Sequence, residues 1–302
     1  MTPTLPKIIV VVGPTASGKS ELAVRLAKKL NGEIISADSR QIYRGLDIGS
    51  GKVEGKWQRG VFIYKNIPHY LIDEVSPKAQ YSVAKFQRQA KKIIKDVLKR
   101  GKLPIICGGT GHWIDAVVYE QTLPEVKPDH KLRAKLSKMS LEKLFHQLSK
   151  LDAERAQSID AKNPRRLIRA LEIVMTTGRP VPKNQNTNQY DALWLGINPD
   201  KETLHQKIEK RLKARLKQGL VKEVQQLHND GLSWKKLESF GLEYKFIALF
   251  LQNKITEDEM KEQLFRAIKQ YAKRQLTWWK RNNQINWSSE PKELLTIAKK
   301  GP

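Results

Sequence analysis

Apolar positions follow two rhythms along the chain. Ile8–Val12 is an unbroken run of β-branched residues, the pattern of a strand buried on both faces. After a glycine turn, Leu22, Leu26 and Leu30 recur at helical spacing and predict a helix over Ser20–Leu30. Ile34–Ser36 and Leu103–Cys107 predict further buried strands. Between them, Val83–Leu98 reads as a helix, with Ala84, Ile93, Ile94, Val97 and Leu98 set among lysines. Strands alternating with helices predict a parallel α/β sheet with its ligand sites at the carboxyl ends of the strands. The stretch from Ala37 to Lys65 is polar and glycine-rich, and predicts a long functional loop with scattered structure.

The rhythm changes near Leu123–Pro128. From there to Thr177 only helical periodicity occurs, rich in Lys, Arg and Leu, and a polar linker, TTGRPVPKNQNTNQYD, follows. Ala192–Ile197 predicts a strand returning to the sheet. Lys201–Asn229, Trp234–Leu251 and Thr256–Asn282 then predict three helical stretches. The expected organisation is an α/β core over 1–122 and 191–302, a helical insertion over 123–190, and a helical C-terminal part.

Lys and Arg number 56 against 31 Asp and Glu, a net charge of +25. Such an excess fits either a solvated lysine-rich surface or a polyanionic partner such as nucleic acid. No apolar run reaches the roughly 20 residues of a membrane span. The opening MTPTLPK lacks a basic start followed by an apolar stretch, so no signal peptide is expected. Cys107 is the single cysteine, which rules out an internal disulfide and a cysteine-based zinc site and fits a reducing cytoplasm.

The first glycine turn carries the most specific chemistry. Gly13-Pro14-Thr15-Ala16-Ser17-Gly18-Lys19-Ser20 matches the phosphate-loop pattern G-x-x-x-x-G-K-[ST] in full, between a strand and a helix. Backbone amides and the helix N-terminus cradle phosphate oxygens there. Lys19 adds a point charge, and the Ser20 hydroxyl suits Mg²⁺. A phosphate-loop ATPase also needs an aspartate closing an apolar strand. Asp73 in HYLIDEV is a weak match that reads more readily as structural, and the guanine-reading Asn-Lys-x-Asp of a GTPase is absent.

Two residues at the same sheet edge remain open to two readings. Asp38, after the second strand, suits a general base beside the phosphate site or an Asx turn. Thr110, after the strand ending at Cys107, suits a hydrogen bond to substrate or a helix cap. Along the last helix, Arg266, Lys269, Lys273, Arg274, Lys280 and Arg281 form a basic face opposite Leu264, Phe265, Ile268, Tyr271 and Ala272, which read as core.

In order, GPTASGKS, DSRQIY (Asp38–Tyr43), DIGSGK (Asp47–Lys52), PHYLID (Pro68–Asp73), GGTG (Gly108–Gly111), NPRRLIRALE (Asn163–Glu172), HQKIEKRL with Arg211, GLVKEV (Gly219–Val224) and AKRQLTWWKR (Ala272–Arg281) resemble the tRNA dimethylallyltransferases, or tRNA isopentenyltransferases. The chain departs from the usual pattern of that family at His112-Trp113, at Gly51-Lys52-Val53 and at Glu243-Tyr244-Lys245-Phe246. The resemblance implies transfer of a dimethylallyl group from dimethylallyl diphosphate to the N6 amine of the adenosine 3′ to the anticodon. In that reading the phosphate loop, Mg²⁺ on Ser20 and Arg211 hold the leaving diphosphate. Asp38 takes the amine proton and Thr110 assists. Ser39, Arg40, Gln41, Arg133, Arg165, Arg166, Leu167, Ile168, Arg169 and Arg274 contact tRNA, in a channel between core and insertion, and the enzyme is a cytoplasmic monomer. A phosphate-loop small-molecule or nucleotide kinase, and a non-catalytic RNA-binding protein, are the competing readings.

Overall fold

The computed structural model describes residues 5–119, 121–183 and 187–301. They fall into two compact units, Met1–Tyr119 with Asn188–Pro302, and Glu120–Thr187. The middle of the polar linker, 184–186, lies outside the described residues.

The first unit begins with β1 (Lys7–Val12), α1 (Lys19–Lys29) and β2 (Gly32–Ser36). Three short strands follow, β3 (Lys56–Gln58), β4 (Val61–Tyr64) and β5 (Ile67–Tyr70), then α2 (Val83–Lys99), β6 (Leu103–Cys107) and α3 (Gly111–Val118). The second unit holds α4 (His130–Leu136), α5 (Leu141–Leu151), α6 (Ala153–Ser158) and α7 (Pro164–Thr177). The chain then returns through β7 (Asp191–Ile197), α8 (Lys201–Lys217), α9 (Leu220–Asn229), α10 (Trp234–Phe240), α11 (Leu242–Leu251), α12 (Glu257–Trp279), β8 (Asn286–Ser288) and α13 (Pro291–Lys299).

One eight-stranded sheet runs in the order β3-β4-β5-β2-β6-β1-β7-β8. From β5 to β8 neighbouring strands are parallel, with Val11 and Ser36 both in register with Cys107. Apolar clusters fill both faces, one including Ile8, Val10 and Ile35, the other Ile9, Val11 and Leu22. The expected parallel sheet is thus present, with an antiparallel extension.

That extension gives definite form to the scattered structure expected within the loop up to Lys65. β3, β4 and β5 form an antiparallel meander joined by two-residue turns, Arg59-Gly60 and Lys65-Asn66. All four turn residues have positive φ, the conformation whose twist suits a tight hairpin. Arg, Lys and Asn there hid the signal that a glycine pair gives openly. Two further differences concern the C-terminal part. The stretch Lys201–Asn229 breaks at Gly219, with φ +101, into α8 and α9, and Trp234–Leu251 breaks at Gly241, with φ +76, into α10 and α11. The strand β8 and helix α13 after Asn282 had no counterpart in the apolar pattern.

The insertion unit is a small helical bundle around Leu136, Leu144, Leu148, Leu167 and Leu171. Asn163 caps α7 through its side chain, and Pro164 occupies the first turn, where a missing N–H does no harm.

Candidate active site

The phosphate loop joins β1 to α1. Gly13 has φ +152, and a Cβ there would stand 2.5 Å from the carbonyl oxygen of Ile197, so only glycine lets the turn lie against β7. Ala16 adopts φ +65, a left-handed backbone that costs an alanine about 1 kcal/mol or more and is characteristic of strained functional turns. Gly18, at φ +99, precedes α1 and offers no side-chain cap, so the first amides of that helix remain open to an anion. Ser17 is buried, and its Oγ is among the few buried side-chain oxygens of the described residues without a hydrogen-bond partner. These features suit a polyanion seated in the turn.

Cations converge on the same place. The Lys19 ammonium lies 3.4 Å from the carbonyl oxygen of Pro14. Burial pushes its pKa down, with the neighbouring Asp38 opposing and Arg211 and Arg215 reinforcing. Arg211, on α8, donates from Nη2 to Thr15 Oγ1 at 2.5 Å. Burial, then the charge of Arg215, lowers Arg211 to about 10, so it still carries its charge at neutral pH. Cys107 sits under the loop, its Sγ 3.7 Å from the Lys19 carbonyl oxygen, and burial pushes its thiol up to about 12, so it stays protonated and inert.

At the carboxyl ends of β2 and β6, Asp38 and Thr110 are neighbours. Thr110 N donates to the Ala37 carbonyl, and Thr110 Oγ1 accepts from Ser39 N at 3.1 Å. Thr110 stands at the N-cap of α3 without capping it through its side chain, so the capping reading is set aside and its O–H remains able to donate. Asp38 fulfils the turn reading with one oxygen only: Oδ1 accepts from Arg40 N at 2.9 Å and more weakly from Gln41 N. Oδ2 has no hydrogen-bond partner among the described residues, and its charge is felt at Lys19, Arg211 and the half-buried Tyr271.

The residues expected to touch RNA divide. Gln41 is engaged within the protein, donating to the carbonyls of Ser50 and Gly51 and accepting from Ser36, so it braces that loop. Arg40 donates to the Phe240 carbonyl at 2.6 Å and lies over that ring. Arg165 and Arg166 are exposed on the first turn of α7. Leu167 is fully buried in the insertion core, and the half-buried Ile168 packs at its edge. Arg133 and Arg169 both bind Glu172, which is fully buried. Arg274 is exposed on α12 and lies over the Tyr271 ring. Lys269 and Arg281 likewise cover Phe265 and Trp278, so cations on and just beyond α12 occupy these aromatic faces.

Asp73 is not poised for a metal: it pairs with Lys52 at 2.5 Å and accepts from Trp57 Nε1 at 3.1 Å. No group of three or more His, Cys, Asp or Glu able to hold a metal occurs among the described residues. Ser20, on the first turn of α1, offers one hard oxygen at an exposed position. That donor set fits a Mg²⁺ ion that keeps several waters and shares phosphate oxygens of its ligand, not a protein-caged ion.

Sequence reasoning missed Gln275. Its Oε1 accepts from Thr15 N at 2.7 Å and its Nε2 donates to the Gly109 carbonyl at 2.9 Å, so one buried amide joins the two glycine turns. The signal was present: Gln275 continues the core-facing row Ile268, Ala272, Trp279 of α12, and a polar residue in such a row needs a reason. Glu223 was also missed. Its carboxylate accepts from the backbone amides of Asp47, Ile48 and Gly49 and so holds the loop before Lys52.

The chain is similar to known proteins over nearly all of its length. A family model described as IPP transferase matches residues 41–282, and one described as Isopentenyl transferase matches residues 6–64. A tRNA dimethylallyltransferase of Carboxydothermus hydrogenoformans is 41% identical, over 96% of this chain and 94% of the relative. That of Acetivibrio thermocellus is 40% identical, over 93% and 90%. Among solved structures, a tRNA delta(2)-isopentenylpyrophosphate transferase from Staphylococcus epidermidis matches with a TM-score of 0.70 at 36% identity, covering 98% of each chain. A eukaryotic dimethylallyltransferase acting on tRNA matches with a TM-score of 0.78 at 26% identity, over 98% of this chain and 77% of that one. With the matched family model and these relatives spanning nearly all of it, the chain belongs to the tRNA dimethylallyltransferases, a family of prenyl-transferring enzymes.

Proposed function

We propose that the chain transfers the dimethylallyl group of dimethylallyl diphosphate to the exocyclic N6 amine of the adenosine 3′ to the anticodon of a tRNA, releasing diphosphate. The observation that carries this reading is the pairing of a cationic phosphate turn with a carboxylate oxygen, Asp38 Oδ2, left open at the adjoining strand end.

The diphosphate lies in the turn of Gly13–Ser20, against the open amides of α1, Lys19 and Arg211. When bound at the Ser20 hydroxyl, Mg²⁺ would supply further positive charge to the phosphate oxygens. The adenine amine is a weak nucleophile because its lone pair is delocalised into the ring. As its nitrogen bonds to the allylic carbon, the carbon–oxygen bond breaks and that electron pair leaves with the diphosphate. Asp38 accepts the proton that the amine loses, and Thr110 donates a hydrogen bond that orients the base or the bridging oxygen. Lys19, Arg211 and the helix amides act on charge that grows during the step, where fixed dipoles lower the barrier most. The adenosine leaves its stack to reach this point. Arg165, Arg166, Arg40, Ser39 and Arg274 contact phosphates and base planes, with Arg133 and Arg169 adding partly neutralised charge. The enzyme acts as a cytoplasmic monomer.

The test is direct. Protein with Mg²⁺, isotopically labelled dimethylallyl diphosphate and bulk tRNA is expected to place label in RNA, and not in ATP, ADP or AMP offered instead. Asp38→Ala is expected to slow transfer by roughly 10²–10⁴-fold with tRNA binding nearly unchanged. Undiminished transfer by that variant removes Asp38 as the base. Consumption of the terminal phosphate of ATP without prenylated RNA favours the kinase.

A further inference from the structure

Two of the positions where the chain departs from the family pattern, Gly51 and Glu243, meet at a single side chain, Arg215. Arg215 lies one helical turn after Arg211 on α8 and is buried. Its Nη1 donates to Glu243 Oε1 at 3.0 Å and to the Gly49 carbonyl at 3.2 Å. Its Nη2 crosses bare backbone at Gly51, where a Cβ would stand only 1.8 Å away. The loop it crosses is otherwise fixed, with Glu223 holding the amides of residues 47–49 and Gln41 holding the carbonyls of Ser50 and Gly51. The guanidinium therefore has one berth, and that berth exists because residue 51 lacks a side chain.

The berth bears on the phosphate turn. The charge of Arg215 reaches Lys19 and Arg211 and depresses the proton affinity of both. Like charges four residues apart on a helix repel, and here Glu243 offsets part of that repulsion. We infer that Arg215 is a positioning residue for the diphosphate: fixed by Glu243 and Gly49, it holds α8 in the register from which Arg211 reaches Thr15. This inference rests on reading the turn as a diphosphate site.

The test couples positions 51 and 215. In the full-length protein, Gly51→Ala is expected to raise KM for dimethylallyl diphosphate, and the calorimetric Kd for inorganic pyrophosphate, by about tenfold, or 1.4 kcal/mol. The kcat at saturation stays within about threefold, because the groups acting in the step are untouched. Alanine is strained at the φ of +65 that Gly51 adopts, so Arg215→Met supplies the control. In that background the methyl group has room, and adding Gly51→Ala should weaken pyrophosphate by under about twofold, a strong departure from additivity. Arg215→Lys keeps the charge without the two-pronged grip and should fall between wild type and Arg215→Met. Equal penalties for Gly51→Ala in both backgrounds would mean backbone strain alone and would overturn the inference, as would an unchanged pyrophosphate Kd in Gly51→Ala. A wild-type protein that binds pyrophosphate but never prenylates RNA would instead overturn the reaction proposed above, and the coupling of the two positions is still read from the pyrophosphate data.

Discussion

The phosphate turn and the insertion core each hold a cluster of inward-facing charge, with opposite balance. At the turn, Lys19, Arg211 and Arg215 crowd together, and among the described residues Glu243 is the one carboxylate paired directly with any of them. In the insertion a single carboxylate, Glu172, is saturated. It accepts from Arg133 Nε at 2.8 Å and Nη2 at 2.7 Å, from Arg169 Nη1 at 2.6 Å and from Asp129 N at 2.7 Å. Burial alone would push Glu172 up, but the hydrogen bonds from the two arginines outweigh it and hold the carboxyl at about 2. An anion whose partners are all internal stabilises a fold. Cations left short of partners are kept for a ligand, and the protein tolerates their repulsion until it arrives.

Substitutions should separate these roles. The largest effect belongs to the turn: Lys19→Ala is expected to reduce transfer by roughly 10²–10³-fold. Thermal unfolding of the unliganded protein should stay level or rise, since a buried like charge is removed. A marked fall in melting temperature would assign Lys19 a structural task instead. Next comes Glu172→Ala, which strands two guanidinium groups and is expected to destabilise the insertion by about 2–3 kcal/mol, the lower end reflecting their partial exposure. Hydrogen exchange in peptides of 121–183 reports it, and the turn should keep its pyrophosphate affinity. The pH dependence has a defined sign. Because Glu172 is depressed from 4.5 to about 2, its stabilisation is complete above pH 4.5 and is lost as pH falls toward 2. Glu172→Gln should flatten that acid limb. The smallest effect separates the arginines held by the buried Glu172 from those on the exposed first turn of α7. Arg165→Ala or Arg166→Ala should reduce the log–log salt slope of tRNA binding by about 1 each with stability unchanged. Arg133→Ala should lower stability, and a slope change without a stability change would reverse its assignment.

The parts of this arrangement legible in the sequence were those set by neighbours in the chain. The phosphate loop is a contiguous pattern flanked by two clear periodicities, so Gly13–Ser20 falls where the residues predict it. Asp38 and Thr110 follow strands, so their sheet edge was foreseeable, yet which of two tasks each performs was not. That depends on Ser39 meeting Thr110 across 71 residues and on Asp38 using one oxygen for its own turn. The meander of β3–β5 was hidden because non-glycine residues occupy all but one of its left-handed turn positions. The packing role of Leu167 was not announced by the motif NPRRLIRALE, because only the helix of α7 shows that this leucine lies on its inward, amphipathic face. The contacts of Gln275 with Thr15 and Gly109, of Glu223 with Ile48 and of Arg215 with Gly49 span 166 to 260 residues, beyond any local rhythm.

The amide of Gln275 also sets an order of events during synthesis. Thr15 and Gly109 emerge from the ribosome long before residue 275, as does β1 before its partner β7. Until the final quarter of the chain is released, the phosphate-loop sequence exists without the brace that fixes its shape. A truncated product ending ahead of α12 would therefore carry the motif intact and lack the contact that ties its two glycine turns together.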